Sequence, residues 1–360
     1  MHRRIAILGP ALFALFAFAA SCPAMQIGAG EKPPVIRQPK KNKKAELPNQ
    51  ALENLPQPPL ALPADGTRLS FLSAPLSNNG LLSQQTRDEL KWMIGQAHGA
   101  QFVRIRAYVA GSGDMRRVPQ LVAETFTDKH LSLPVVVTVQ VGALPLEGAQ
   151  VQFDAILQQA RTVNPAGVSF TSFEAESGAA AQTKLQQMGS HLERGTCYVP
   201  TLHLEIAVPI LPPSSMKVGA GGHLHLEDVA WIQPRRVLNP ATTWCEVVAS
   251  NAGPAVASQP LVFTGAQLAF SYSEDDARLA YERLEKTLKS ANSTLKNAVF
   301  LSFYPLSSQL ADLARRTGLP YLAPGPEPAG IRKIVFEGLP SMDGSFAIEA
   351  VATVSNPNQR

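Results

Sequence analysis

One order of secondary-structure elements occurs twice in this chain, and it limits the fold to a small set of α+β architectures. Periodicity predicts strand, helix, strand, helix, strand, strand over residues 65–158 and again over residues 258–356. The turn before the last strands also matches, with Ala143-Leu144-Pro145 in the first stretch and Gly338-Leu339-Pro340 in the second. A shared order and a shared turn predict an internal repeat of one α+β unit.

The stretch between these two units, residues 165–250, is predicted to be a degenerate third copy. Its pattern indicates a strand at Val168–Phe173, a helix from Ala179 to Arg194 and a strand at Tyr198–Ile206. A loop rich in proline and glycine, Pro209–Gly222, replaces the second helix. We therefore expect two clear units and one eroded unit.

The N-terminal segment is not expected to belong to a folded unit. Residues 1–25 have the layout of a secretory signal peptide, with arginines before an apolar run. Residues 26–64 contain eight prolines and a lysine cluster, which predicts a disordered linker. Ala19-Ala20-Ser21 before Cys22 resembles a bacterial lipoprotein cleavage box, so Cys22 is a candidate lipid anchor. We expect an exported protein of the periplasm or envelope.

The positive charge of the chain is concentrated in this N-terminal segment. Residues 1–60 hold eight of the 32 Lys and Arg and three of the 28 Asp and Glu. The remainder holds 24 and 25, a net charge of −1. Because a nucleic-acid-binding domain carries its basic residues on the domain itself, this distribution argues against nucleic acid as a partner.

The two other cysteines, Cys197 and Cys245, allow two interpretations. In an exported protein they form one disulfide that closes a loop of about fifty residues, or they remain two buried free thiols. Their spacing matches no zinc or redox motif. No cofactor is expected, because no phosphate-binding or dinucleotide-binding fingerprint occurs.

Short motifs in both clear units resemble the RidA (YjgF) family. They are Gln84-Gln85-Thr86, Pro134–Val141 and Ala149–Ala155 in the first unit, and Phe263–Gln267, Gly338–Pro340 and Ala347–Ala350 in the second. The resemblance implies chorismate-mutase-like βαβαββ units that assemble as trimers. Three units in one chain imply a pseudo-trimer with pockets between the units.

The resemblance also implies a site whose key residues this chain lacks. Active family members hydrolyse enamines and imines, using an arginine for the substrate carboxylate and a glutamate that positions water. Counted from the Leu-Pro turns, the arginine position is Val136 and Ile331, and the glutamate position is Gln152 and Ala347. Aliphatic side chains cannot pair with a carboxylate. We expect a non-catalytic module that binds a small molecule or a protein. The alternatives are an enamine/imine deaminase with an atypical site and a purely structural envelope protein.

Four residues are candidates for ligand binding, namely Arg104, Arg106, Gln140 and Gln152. Arg104 and Arg106 alternate onto one face of a predicted strand, opposite a face formed by Val103, Ile105, Ala107 and Val109. The two arginines either bind an anionic ligand between units or form ion pairs with acidic side chains.

Other polar residues give weaker signals. Asp154 and Glu349 occupy matching places in the closing strands, where they are candidates for site carboxylates or for salt bridges. His223 and His225, together with Glu227, form a weak metal candidate, because a single flat strand rarely supplies three converging ligands. We therefore expect no metal site.

Overall fold

The computed structural model describes residues 55–111, 113–202, 229–236, 242–250, 260–331 and 334–355. The predicted signal peptide, Cys22, His223 and His225 lie outside these residues. No helix within the described ranges is long and apolar enough to cross a membrane.

The N-terminal unit is a four-stranded sheet with two helices. The strand order is β2-β5-β3-β4, with β3 and β4 parallel and the other pairs antiparallel. Its elements are β2 (Leu69–Ser73), α1 (Leu82–Gln96), β3 (Gln101–Ala110), α2 (Arg117–Asp128), β4 (Val135–Val141) and β5 (Val151–Gln158).

The middle unit has a sheet with the same pattern of pairing, in the order β6-β9-β7-β8. Its described elements are β6 (Val168–Ala175), α3 (Gly178–Met188), β7 (Leu192–Tyr198), β8 (Val229–Ile232) and β9 (Thr243–Ser250). The predicted helix to Arg194 is too long, and the predicted strand at Tyr198–Ile206 overlaps β7 only at Tyr198, with residues 203–206 outside the described ranges. Gly189, whose φ of 55° lies in the left-handed region, ends the helix, and the strand begins at Leu192.

The C-terminal unit repeats the pattern with the order β10-β14-β12-β13. Its elements are β10 (Pro260–Thr264), β11 (Gln267–Ala269), α4 (Glu274–Ser290), β12 (Ala298–Pro305), α5 (Ser308–Gly318), β13 (Ala329–Ile331) and β14 (Phe346–Thr353). The short strand β11 pairs with the start of β14. All three sheets therefore place their closing strand between the first and second strands of the unit.

The end of the predicted disordered linker is ordered, which corrects the boundary at residue 64. Residues Ala61–Asp65 form strand β1, which pairs antiparallel with β10 of the C-terminal unit. An edge strand presents unpaired N–H and C=O groups, and β1 satisfies those of β10. Ala64 is buried beside Leu261 in a shared apolar cluster. The chain thus contributes to its last sheet before it builds its first.

Each sheet has its own helices on one face and turns its other face toward the other two sheets. In the N-terminal unit, Phe126 of α2 packs with Ile105 and Ala107 on the helix-covered face. The opposite faces meet in a cluster drawn from all three units, which includes Tyr108, Tyr198, Tyr304, Phe336 and Ile331. The centre of the protein is therefore an interface between sheets.

A β-bulge changes the predicted alternation of β3. The register with β5 shifts between Phe102 and Arg104. Val103 consequently packs in an inner cluster with Phe263 and Phe300, away from Ile105. Its predicted place on the face of Ile105 is therefore wrong, whereas Arg104 and Arg106 share one face as predicted.

Candidate functional site

The three sheets share a register that brings polar side chains to the centre. At one position of this register, each unit has an acidic residue of its closing strand opposite a polar residue of its second strand. These pairs are Arg106–Asp154, Thr196–Glu246 and Ser302–Glu349. Two residues further along the second strands lie three fully buried tyrosines, Tyr108, Tyr198 and Tyr304. The predicted matching of Asp154 and Glu349 therefore holds in the sheet register.

Arg106 connects all three units through one guanidinium group. It forms ion pairs with Glu246 of the middle unit and Glu349 of the C-terminal unit. Its Nη1 also donates a hydrogen bond to the hydroxyl of Tyr108 at 3.0 Å. Of the two roles considered for Arg106 in the sequence, the structure shows the ion pair.

Arg104 is less completely neutralised than Arg106. Its Nη1 lies 3.4 Å from Oε1 of Glu349, the same oxygen that Arg106 contacts. Its guanidinium carbon lies 5.6 Å from the ring centroid of Phe263, within range of a cation–π interaction. Two arginines therefore share one carboxylate.

Arg194 is a third buried arginine, and the sequence analysis missed it. It forms an ion pair with Asp154 and donates hydrogen bonds to Ser73 and, at 3.3 Å, to Thr196. Asp154 also accepts hydrogen bonds from Ser73 and Thr196, each at 3.2 Å. This group joins the N-terminal and middle units.

The environment fixes the protonation of these groups. Burial raises the pKa of Glu349, but Arg106 and Arg104 and the hydrogen bonds from Arg106 and Tyr304 outweigh it, so the net pKa is lowered. Burial raises the pKa of Tyr108, Tyr198 and Tyr304. Glu349 is therefore a carboxylate at neutral pH, and the tyrosines are neutral hydroxyl groups.

A cavity of about 40 Å³ lies beside this network, between the N-terminal and middle units. Its lining contains both charged and aromatic residues. The charged lining residues are Arg104, Arg106, Arg194, Asp154 and Glu246, and the aromatic ones are Phe71, Phe170 and Phe300. The cavity brings together two residues that the sequence singled out as ligand candidates, Arg104 and Arg106.

The two aliphatic residues at the arginine position are not equivalent in the structure. Val136 lies opposite Ile105 and packs on the helix-covered side, whereas Ile331 lies opposite Ser302 and is fully buried in the central cluster. By register, Ile331 matches Val137, which lies opposite Arg106. Counting from the Leu-Pro turn misplaces Ile331 by one position, because Pro340 follows Ile331 by nine positions whereas Pro145 follows Val137 by eight.

The residues at the glutamate position are equivalent. Gln152 lies opposite Tyr108, and Ala347 lies opposite Tyr304. Gln152 is buried, and its Oε1 has no hydrogen-bond partner among the described residues. Ala347 packs in the central apolar cluster.

Gln140 lies at a junction of units and does not line the cavity. Its Nε2 donates to the carbonyl of Gly111 at 3.0 Å, and its backbone N–H donates to the carbonyl of Gly338 at 2.9 Å. A Cβ at Gly338 would lie 2.3 Å from Oε1 of Gln140, so the absence of a side chain there permits this approach. The contact joins the N-terminal and C-terminal units.

Glu89 of α1 is a buried acid that the sequence analysis missed. Its Oε2 accepts a hydrogen bond from the backbone N–H of Phe153 at 3.2 Å, and its Oε1 has no hydrogen-bond partner among the described residues. Burial raises its pKa, the hydrogen bond from Phe153 opposes this, and Asp154 adds to it. Glu89 thus accepts the N–H of Phe153 in β5, at a position beyond the last residue pair of β2 and β5.

Cys197 and Cys245 form a disulfide. They lie directly opposite each other in β7 and β9, and both are fully buried. Of the two interpretations of the sequence, the structure has the disulfide.

Within the described ranges, no three potential metal ligands come together.

Comparison with known proteins gives likenesses at low sequence identity. No protein-family model matches the chain, and no curated protein matches it. Among solved structures, a chorismatase aligns with a TM-score of 0.41 and 11% identity, covering 79% of this chain and 74% of its own. A YjgF-family protein from Neisseria meningitidis aligns with a TM-score of 0.25 and 13% identity, covering 28% and 83%. RidA from an Antarctic Psychrobacter aligns with a TM-score of 0.22 and 16% identity, covering 29% and 94%. The last two likenesses extend over less than a third of this chain.

Proposed function

We propose that this chain is an exported, non-catalytic binding protein whose three RidA-like units form a pseudo-trimer. The observation that carries the proposal is the state of Arg106, which is held by Glu246 and Glu349 of the same chain. A guanidinium that already has two carboxylate partners is not available as the substrate fork of a deaminase. The polar centre thus acts as an internal connection between units.

The other groups near the centre support the same interpretation. Val136, at the position where the resemblance requires arginine, supplies no charge. Gln152 can hold a water molecule through its unpaired Oε1 but is not a base. The raised pKa of Tyr108 keeps its hydroxyl protonated. Among the described residues of this centre, no general acid–base pair is poised for imine hydrolysis.

Export is supported by two features. Residues 1–25 have the layout of a signal peptide. The disulfide between Cys197 and Cys245 is of a kind that persists in oxidising compartments and is rare in the cytoplasm. Secretion of a reporter enzyme fused after residue 25 tests this part of the proposal, and retention in the cytoplasm contradicts it.

The test of the non-catalytic function is a coupled assay of imine hydrolysis. A pyridoxal-phosphate enzyme generates 2-iminobutanoate in place, and release of the 2-oxo acid is followed with and without the purified protein. We expect the spontaneous rate, with an active RidA protein as the positive control and near-ultraviolet circular dichroism as the check of folding. Release above that rate overturns the proposal in favour of the deaminase alternative, in which Gln152→Leu is then expected to abolish turnover.

A further inference from the structure

We propose that an ordered water molecule binds between α1 and β5, held by the side chains of Thr86 and Glu89. Both residues are buried on α1, on the helix-covered side of the N-terminal sheet, and neither lines the cavity. Thr86 belongs to the Gln84-Gln85-Thr86 motif, for which the central network of arginines gives no role. The water connects the first helix of the unit to its closing strand.

Side chains of α1 bond to β5 where its neighbour β2 has ended. Asp154 is the residue nearest the start of β5 that still pairs with β2. Immediately before β5, the backbone N–H of Gln150 donates a hydrogen bond to Oε1 of Gln85 at 2.7 Å. Within β5, the backbone N–H of Phe153 donates to Oε2 of Glu89 at 3.2 Å. Polar side chains of α1 thus take the place of a neighbouring strand along this part of β5.

Val151 lies between these two contacts and presents its backbone groups at the same edge. The N–H of Ala110 in β3 donates to the carbonyl of Gln150 at 2.9 Å, so Gln150 directs this carbonyl toward β3. Backbone groups of successive residues in a strand point to alternate sides. Val151 therefore directs its N–H and C=O away from β3, to the edge that α1 covers. This places a backbone donor and acceptor between Gln85 and Glu89.

Two buried oxygen atoms of α1 have no hydrogen-bond partner among the described residues. They are Oγ1 of Thr86 and Oε1 of Glu89, in residues that are 0% and 2% exposed. Side chains three residues apart on a helix are neighbours, with Cβ atoms about 5–6 Å apart. A water bonded to two oxygens separates them by up to about 5.5 Å, twice the usual O···O distance. One water molecule is therefore of the right size to bridge the two oxygens.

Water fits the chemistry of these groups. The apolar core against which α1 packs, including Leu90 and Met93, is fully buried, so bulk solvent does not reach the two oxygens. A buried water usually makes about three hydrogen bonds to groups that would otherwise be unpaired. Thr86, Glu89 and the backbone of Val151 supply that number. Water donates to a carboxylate and accepts from a protonated carboxyl group, so it suits both states of Glu89.

The test is a crystal structure of the full-length protein at a resolution that shows ordered water. We expect a water peak within about 3.2 Å of both Oγ1 of Thr86 and Oε1 of Glu89. In solution, the amide proton of Val151 should show a rotating-frame Overhauser contact with a long-lived water. Thr86→Val keeps the shape of the side chain and removes the hydroxyl. The peak and the contact are expected to disappear in this variant, and the melting temperature to fall by about 2 °C.

The matched control is Thr125→Val in α2, where Oγ1 of the threonine donates to the carbonyl of Leu121 at 2.7 Å. This variant also loses a threonine hydroxyl, but it is expected to keep the water between α1 and β5. The proposal is overturned by the absence of the peak in the parent protein, by a direct hydrogen bond between Thr86 and Glu89, or by an unchanged peak in Thr86→Val. If Thr86→Val does not fold, the parent structure and the Val151 contact decide.

Discussion

Arg106 and Glu349 form an ion pair between the first and last units of the chain in which both side chains are almost fully buried, at 3% and 1% exposure. Exposed ion pairs contribute little to stability, because water and salt screen them. Here neither partner has water as an alternative, so each depends on the other.

Removing the arginine is expected to destabilise the whole protein. Arg106→Met removes the guanidinium that Glu246 and Glu349 share and leaves Glu349 with Arg104 at 3.4 Å. Breaking a buried ion pair in this way costs about 3–5 kcal/mol. Urea unfolding measures the loss, and Arg87→Met, whose side chain is 49% exposed, is the control with little expected change. A loss below about 1 kcal/mol for Arg106→Met would show that the pair is not needed.

Acid is expected to unfold the protein through Glu349. Its pKa is lower in the folded than in the unfolded chain, so its stabilising contribution is present above the unfolded pKa and is lost as the pH falls through the folded pKa. The free energy of unfolding should therefore decrease below about pH 4. Glu349→Gln should be less stable at neutral pH and should show a smaller decrease in acid. An unchanged acid slope in that variant contradicts this assignment.

Glu89 is expected to give a pH dependence of stability opposite to that of Glu349. Its pKa is raised in the folded state, so its contribution is most favourable below the unfolded pKa and decreases as the pH rises toward the folded pKa. Glu89→Gln keeps an oxygen for the N–H of Phe153 and removes the buried charge. We expect this variant to be about 1 kcal/mol more stable than the parent at pH 7 and similar to it at pH 4, measured by urea unfolding. Equal free energies of unfolding for the two proteins at pH 7 would show that the buried Glu89 carboxyl group does not destabilise the fold.

Reduction of the disulfide is expected to lower the melting temperature. Cys197 and Cys245 are 48 residues apart, and closing such a loop stabilises a protein by about 4 kcal/mol in the chain-entropy model. The double variant Cys197→Ala, Cys245→Ala should melt at a lower temperature and should not respond to dithiothreitol. A parent protein that melts at the same temperature with and without reductant contradicts the prediction.

Two glycines form a matched pair for testing the junction of units. The N–H of Gly142 donates to the carbonyl of Gln233 at 2.8 Å, and a Cβ there would lie 2.5 Å from backbone atoms of Arg235 and Arg236. Gly142→Ala should therefore cost about 1–3 kcal/mol. Gly95 in α1 has open space at the same position, so Gly95→Ala should stabilise by about 0.5–1 kcal/mol. Similar effects of both changes on urea unfolding would show that the backbone at this junction shifts to accept the added methyl group without loss of stability.

The sequence predicted the parts of this architecture that depend on local pattern. Alternation along β3 placed Arg104 and Arg106 on one face, but it could not show the bulge that moves Val103 to that face. Arg194 was assigned to a helix because α3 ends where the backbone of Gly189 is left-handed. A glycine in the sequence does not by itself predict that conformation.

The partners of the arginines required tertiary register, which no local pattern contains. One signal was nevertheless present, since each second strand carries a tyrosine four residues after the position of Arg104. The corresponding pairs are Arg104 and Tyr108, Arg194 and Tyr198, and Phe300 and Tyr304. Aligning the strands on these tyrosines would have placed Arg194 beside the network.

Strand β1 links the first and last units of the chain. Residues Ala61–Asp65 are hydrogen-bonded into the last sheet, and the next strand, β2, belongs to the first. Backbone hydrogen bonds therefore hold the segment before the first unit against the sheet of the last unit. The first unit cannot move away from the last without separating β1 from β10, so we expect these two units to unfold together.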